Sequence, residues 1–182
     1  MEKTIIKISA KEIQKLRETT SAGVMDCKSA LEEAKGNFDQ AMQLLRKKGQ
    51  VKAAKKVSRS AKEGLIESYV HSNNRIGVLV EVNCETDFVS RCEDFRQFAK
   101  DVAMQIAALS PLYIKREDVP KKIAEENKDC QEEFYKKNCL LEQAFIKDPS
   151  RTINDYLTDL LAKIGENIVV RRFTRYQLGE ES

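Results

Sequence analysis

The stretch Ile76–Val89, IGVLVEVNCETDFV, constrains the fold more than any other part of the chain. Ile76, Val78, Val80 and Val82 fall in one alternating row and Leu79 in the other. Side chains two apart line the same face of a strand, so an apolar row of this kind needs a cover. The run then stops at Thr86-Asp87-Phe88-Val89, where a strand has to end and a helix begin. By default Phe88 is a core ring at the end of the sheet and Asp87 a helix N-cap.

The flanking segments supply the rest of a small sheet. Leu65–Ser72, then Asn73-Asn74-Arg75, then the Ile76 run spell a β-hairpin, because asparagine tolerates the positive backbone angles of a tight turn. His71 is expected on the first strand as a surface imidazole, and Gly77 to permit a bulge or a close backbone approach. Near the C-terminus, NIVVRRFTRYQL reads as a strand that pairs with the Ile76 run and leaves Arg171, Arg172 and Arg175 at the rim. The Ile76 strand is then central.

Helical signals cover the remainder. After Glu93-Asp94, the stripe Phe95, Phe98, Val102, Ile106 and Leu109 predicts a long helix closed by Pro111. Asp118-Val119-Pro120 leads into one strongly charged helix reaching Asn138, with Ile123, Cys130 and Phe134 on a thin apolar face. Thr152 and Asp155 form a capping signature for a last helix, with Ile153, Tyr156, Leu157, Leu160, Leu161 and Ile164 inward and Gly165 at its end.

Ahead of the sheet, Ser9 and Glu12 form a capping box for a first helix carrying Ile13 and Leu16. Val24-Met25-Asp26-Cys27-Lys28 opens a second helix with Ala30, Leu31 and Ala34 inward and Gly36 as its C-terminal cap. Asn37 and Gln40 restart the chain as a third helix with Phe38, Ala41, Met42 and Leu45 inward, ending at Gly49. By spacing alone, Val24 and Met25 also fit the bundle core. The expected architecture is α+β. Residues 1–50 form a three-helix module, 51–63 a basic helical linker, and 64–182 a core of an antiparallel three-stranded sheet packed with helices.

Charge follows that division. Residues 1–62 hold 15 Lys and Arg against 7 Asp and Glu, whereas residues 63–182 hold 17 against 22. Lys52, Lys55, Lys56, Arg59 and Lys62 could neutralise nucleic-acid phosphates, but no aromatic is interleaved for base stacking, and a solvated face is the plainer reading. A nucleic-acid or ribosome-associated binding module is therefore the alternative function class. Cys27, Cys84, Cys92, Cys130 and Cys139 show no C-x-x-C spacing, which argues for reduced thiols over a disulfide scaffold or zinc site. A Cys-His nucleophile would need His71, the single histidine, and lacks an orienting third group. No G-x-x-x-x-G-K-[ST] or G-x-G-x-x-G loop is present to cradle a nucleotide. Glu85 and Asp87 as a hydrolytic pair lack a second activated group. No run is apolar and long enough for a membrane span or signal peptide, so the expected location is cytoplasmic, with no cofactor and no catalytic metal.

Four segments resemble the elongation factor Ts family in the family's order: Thr20–Leu31 (TSAGVMDCKSAL), Lys52–Lys56 (KAAKK), Glu81–Val89 (EVNCETDFV) and Ala162–Ile168 (AKIGENI). The resemblance implies a guanine-nucleotide exchange factor, not an enzyme, that binds the GDP-loaded GTPase elongation factor Tu. It implies that the first module is similar to a ubiquitin-associated domain and docks through Val24, Met25, Asp26, Cys27 and Lys28. It further implies that Thr86, Asp87, Phe88 and Val89 intrude near the partner's magnesium and phosphate site, dislodging Mg²⁺, with no direct nucleic-acid contact. Longer family members have a second half of the core and a protruding helical hairpin. This chain resembles the short form, in which two subunits replace the missing half, so an isologous homodimer is expected.

Overall fold

The computed structural model of the chain describes residues 8–20, 22–54 and 59–180, with 50–54 given as helix backbone only. In chain order the elements are α1 (Ala10–Thr20), α2 (Val24–Glu33), α3 (Phe38–Ala54), β1 (Glu63–Val70), β2 (Ile76–Cys84), α4 (Asp87–Ser90), α5 (Glu93–Leu109), α6 (Lys121–Glu126), α7 (Gln131–Asn138), β3 (Ala144–Phe145), β4 (Asp148–Thr152), α8 (Ile153–Ile164) and β5 (Val169–Gln177). The sheet order is β1-β2-β5, antiparallel throughout, so the Ile76 strand is central as its pattern requires. Val78, Val80 and Val82 are buried and Leu79 faces out. The buried row packs in one cluster with Phe95, Phe98, Val102 and Ile106 of α5 and with Ile153, Leu157, Leu160 and Leu161 of α8. Leu109, assigned to the α5 stripe by spacing, is exposed one residue before the left-handed Ser110 that ends the helix.

The bulge or close backbone approach expected at Gly77 is not found there. Gly77 has open space around it, and the bulge lies between Glu81 and Val82 in the pairing with β5. Gly64 is the residue of close approach: its φ is +144°, and a Cβ there would collide with the Val82 carbonyl oxygen. In the turn, Asn74 adopts a φ of 54° as anticipated, and Asn73 Oδ1 accepts from the Arg75 N–H at 3.0 Å. His71 lies just past β1, its Nδ1 3.2 Å from the Tyr69 hydroxyl.

The charged segment before α8 is not one helix. Asn127 interrupts it, donating from Nδ2 to the Ile123 carbonyl at 2.8 Å, and a 3₁₀ turn at Lys128–Cys130 separates α6 from α7. A short amide side chain that bonds its own backbone competes with helix continuation. Val119, Tyr135 and Cys139 form a separate small core with Ile123 and Phe134, while Cys130 points to solvent. Arg116 holds this excursion, bonding both Glu132 oxygens at 2.7 and 3.0 Å and Glu142 at 2.7 Å while lying 4.8 Å over the Tyr135 ring.

The β3–β4 hairpin has no signal in the sequence pattern. Its anchor is Gln105, buried on α5, which donates to the Ala144 carbonyl and accepts from the Ile146 N–H, both at 3.0 Å. A buried amide is tolerable only when paired in this way.

Both capping boxes are present. Ser9 and Glu12 exchange bonds at the start of α1, and Thr152 and Asp155 do so at α8. Gln40 N–H donates to Asn37 Oδ1 at 3.0 Å, and Gly36 closes α2 with φ 81°. The three N-terminal helices enclose their own cluster of Leu16, Cys27, Ala30, Leu31, Ala34, Ala41 and Leu45. The expectation that α3 stops at Gly49 is overturned, because the helix runs on to Ala54. Gly49 faces α8, where an added Cβ would make an ordinary contact, 3.5 Å from that of Ala162. Arg46 adds a 3.0 Å ion pair to Asp155. Lys55 and Lys56 of the basic linker lie outside the described residues.

Gly64→Ala is expected to cost about 3 kcal/mol or more, combining backbone strain with a steric clash, whereas Gly77→Ala should stay within about 1 kcal/mol. Urea unfolding of the two variants side by side checks the contrast.

Candidate functional site

Past Cys84 the central strand loses both neighbours, since its last partners are Glu63 on β1 and Val169 on β5, paired with Cys84 and Asn83. The chain turns there into the single helical turn of α4. Thr86 occupies the N-cap in extended geometry, but its side chain makes no capping bond to its own helix. The hydroxyl donates instead to Glu166 Oε1 at 2.7 Å, and the N–H groups of Glu85 and Thr86 donate to Glu166 Oε2 at 3.2 and 3.0 Å. Glu85 reciprocates, its Oε1 accepting from the Asn167 N–H at 2.6 Å. Asn167, only 2% exposed, donates from Nδ2 to the Arg59 carbonyl at 2.8 Å.

This frame decides the fate of the four residues singled out above. Thr86 is partly buried and tied down, and Val89 packs against the main core. Phe88 is 81% exposed, so the default of a core ring does not hold. Asp87 is helix residue one rather than the cap, and its Oδ2 pairs with Arg91 at 2.9 Å. The turn therefore presents a rigidly carried aromatic ring and a carboxylate with one neutralising arginine beside it.

The second group of residues opens α2. Val24 is 48% and Met25 73% exposed, which removes them from the bundle core. Lys28 is exposed and lies 3.9 Å from Glu32. Asp26 is half-buried, and Cys27 is fully buried with its thiol 3.7 Å from the Ala22 carbonyl. Val24, Met25 and Lys28 thus form surface, while Cys27 anchors the helix that carries them.

Elsewhere the chemistry is that of packing. A cleft of about 780 Å³ lies between α2–α3 and α8, away from the Asp-Phe turn. Asp26, Asp39, Arg46, Asp94, Arg151 and Asp159 line it with both signs of charge. Burial raises the Asp159 carboxyl above its ordinary range, against the pull of Arg46 and Arg151. Burial also pushes the thiols of Cys84 and Cys139 up to about 11, so neither is a thiolate nucleophile near neutral pH. Among the described residues no group of three or more His, Cys, Asp or Glu is arranged to hold a metal ion, and no helix is long and apolar enough to cross a membrane.

Fold and site together define an α+β protein that joins a small helical bundle to a compact sheet and carries a solvent-facing Asp-Phe turn at the end of its central strand. The model of the elongation factor Ts family matches residues 1–134 and 130–180, and the chain belongs to that family. The two matched stretches overlap at residues 130–134, at the start of α7. An elongation factor Ts of Caldanaerobacter subterraneus subsp. tengcongensis is 50% identical over 195 residues, covering 95% of this chain and 98% of the relative. Those of Thermoanaerobacter sp. and Thermodesulfovibrio yellowstonii are 49% and 48% identical, each covering 95% of this chain and 96% and 97% of the relative.

Glu166 is the residue that reading by spacing passed over. The Gly165-Glu166-Asn167 stretch stood inside a motif of the resemblance, yet nothing in local sequence ties it to Thr86, 80 positions away.

An exposed ring contributes little to folding, so Phe88→Ala should change stability by less than about 0.5 kcal/mol. Phe98→Ala, in the core beneath the same sheet, should cost about 3–5 kcal/mol. Chemical denaturation of both variants tests the distinction.

Proposed function

We propose that the protein is the guanine-nucleotide exchange factor for elongation factor Tu. It binds the GDP-loaded GTPase, sets Thr86–Val89 against the magnesium and phosphate site, and speeds GDP release so that GTP can enter. It acts by binding, in the cytoplasm. The observation that carries this reading is the exposure of Phe88 on a turn anchored at its Thr86 and Val89 ends. A monomeric protein gains nothing in folding from a phenylalanine held in water, whereas a docking surface does.

The mechanism follows from what holds the nucleotide. In such GTPases a magnesium ion bridges the phosphates to the protein through oxygen and water ligands, and disturbing that shell removes much of the nucleotide's affinity. Phe88 supplies an apolar wedge, and Asp87 a carboxylate that competes for polar groups near the metal once it leaves Arg91. By linkage the factor and GDP weaken each other's binding by the same ratio, so the factor is not consumed and does not select the returning nucleotide. Residues 1–50 act as a second docking module through Val24, Met25, Asp26 and Lys28, with Cys27 holding their helix from within. Residues 51–63 join that module to the core at 64–182.

The outer face of the sheet supports the second part of the proposal, an isologous homodimer. Ile66, Val70, Leu79 and Tyr176 are exposed there, and the register places Val70, Gly77 and Tyr176 in one row and Ser68, Leu79 and Thr174 in the next. Glu81 and Arg172 pair at 2.7 Å at the edge of the patch. A second copy turned by a two-fold axis meets this patch with the same patch, covering apolar surface with apolar surface.

Two outcomes are expected. Asp87→Ala combined with Phe88→Ala should abolish accelerated release of labelled GDP from elongation factor Tu in stopped-flow while circular dichroism stays unchanged. Wild-type protein that fails to accelerate release would sink the reading. Light scattering should show a dimer at micromolar concentration that Leu79→Lys converts to monomer, and a monomeric wild type rules the dimer out.

A further inference from the structure

We infer that Glu166 is the positioning residue of the Asp-Phe turn, holding Phe88 and Asp87 in their presenting geometry without touching the partner. The inference rests on the exchange function proposed above. Three observations carry it, and all concern where hydrogen bonds go.

The first is supply. Beyond Cys84 the central strand has no strand partner on either side, so the N–H groups of Glu85 and Thr86 need other acceptors. One carboxylate oxygen of Glu166 accepts both, at 3.2 and 3.0 Å. The second is diversion. A threonine at an N-cap ordinarily spends its hydroxyl on its own helix, yet Thr86 donates it to the other oxygen of Glu166 at 2.7 Å. Local helix stability is given up for a tie to a distant corner. The third is reciprocity. Glu85 Oε1 takes the Asn167 N–H at 2.6 Å, so residues 85–86 and 166–167 grip each other in both directions. Buried Asn167 adds a bond to the Arg59 carbonyl, which brings the end of the N-terminal connection into the same corner.

With both residues before the turn fixed, the one-turn helix cannot rotate about the strand end, and Phe88 leaves the sheet in one direction. Without Glu166 the contacts left to the turn among the described residues are weaker: the Val89 packing, the Cys84 thiol bond to the Thr86 carbonyl at 3.1 Å, the Glu85 bond to Asn167, the 3.6 Å ion pair of Glu85 with Arg59, and bonds within the turn itself. Preorganised contacts lose much of their effect when displaced by about an ångström.

The test uses full-length Glu166→Ala, Glu166→Gln and Phe88→Ala, measuring both GDP release from elongation factor Tu and amide hydrogen exchange. Glu166→Ala should slow release about ten- to a hundredfold. It should also speed exchange at the Glu85 and Thr86 amides by about tenfold or more while Val80 and Val82 stay protected. Glu166→Gln keeps one carbonyl oxygen for the two N–H groups and turns its amide toward the Thr86 hydroxyl, so release should return to within about threefold of wild type. If Glu166→Ala unfolds the protein, Thr86→Val, which deletes only the hydroxyl donor, should slow release in the same direction. Unchanged amide exchange in Glu166→Ala overturns the inference. So does a Gln variant as poor as Ala, because charge rather than position would then be at work. Full release by Glu166→Ala with loss in Phe88→Ala overturns the positioning role alone, full release by Phe88→Ala overturns the wedge role of the ring, and a wild type that does not accelerate release overturns the exchange function; amide exchange still decides the tie.

Discussion

The alternating valine row of β2 is the constraint on which the remaining architecture depends. Val78, Val80 and Val82 have to be covered, and α5 and α8 cover them with Phe95, Phe98, Ile153 and Leu161. Burying each such side chain is worth about 1.5–3 kcal/mol, enough to fix both helices on one face of the sheet. Once they are there, the direction of β2, the place where it runs out of partners and the side on which the chain must turn are all decided. The Asp-Phe turn is a consequence of that geometry, set at the end of the strand with the most cross-strand support.

Presenting a phenylalanine to water from such a mount requires that the backbone not relax to bury it. Hydrogen bonding, rather than packing, prevents that relaxation. Glu166 and Asn167 meet Glu85 and Thr86 in the connection between α8 and β5, so the segment that follows the core-closing helix supplies the grip on the turn. Val89 adds the single apolar anchor. Phe88 and Asp87 lie between these fixed points, and neither is needed to hold them.

The same helix carries the bundle. Arg46 meets Asp155 in the first turn of α8 and Gly49 faces Ala162 near its end, so α3 lies along α8. Val24 and Met25 remain outside this contact, at the opposite commitment from Cys27 one turn away.

Local chemistry determined much of this in advance. The capping boxes at Ser9 and Thr152, the left-handed residues Gly36 and Gly165, the hairpin at Asn74 and the stripe of α5 all depend on neighbours within a few positions, and each is where the sequence pattern places it. The α+β class and the central place of the Ile76 strand follow from the same periodicities. Tertiary structure alone decided the rest. The run of α3 past Gly49 to Ala54 carries no local signal, the β3–β4 hairpin depends on buried Gln105, and the hold on the turn depends on Glu166. Sequence alone made Phe88 a core ring by default and the structure puts it in water, because burial is a property of what arrives from elsewhere in the chain. The sequence determined which residues could form strand, turn and helix; folding determined that the aromatic at their junction faces outward, since the carboxylate that fixes Thr86 ahead of it lies 80 positions away.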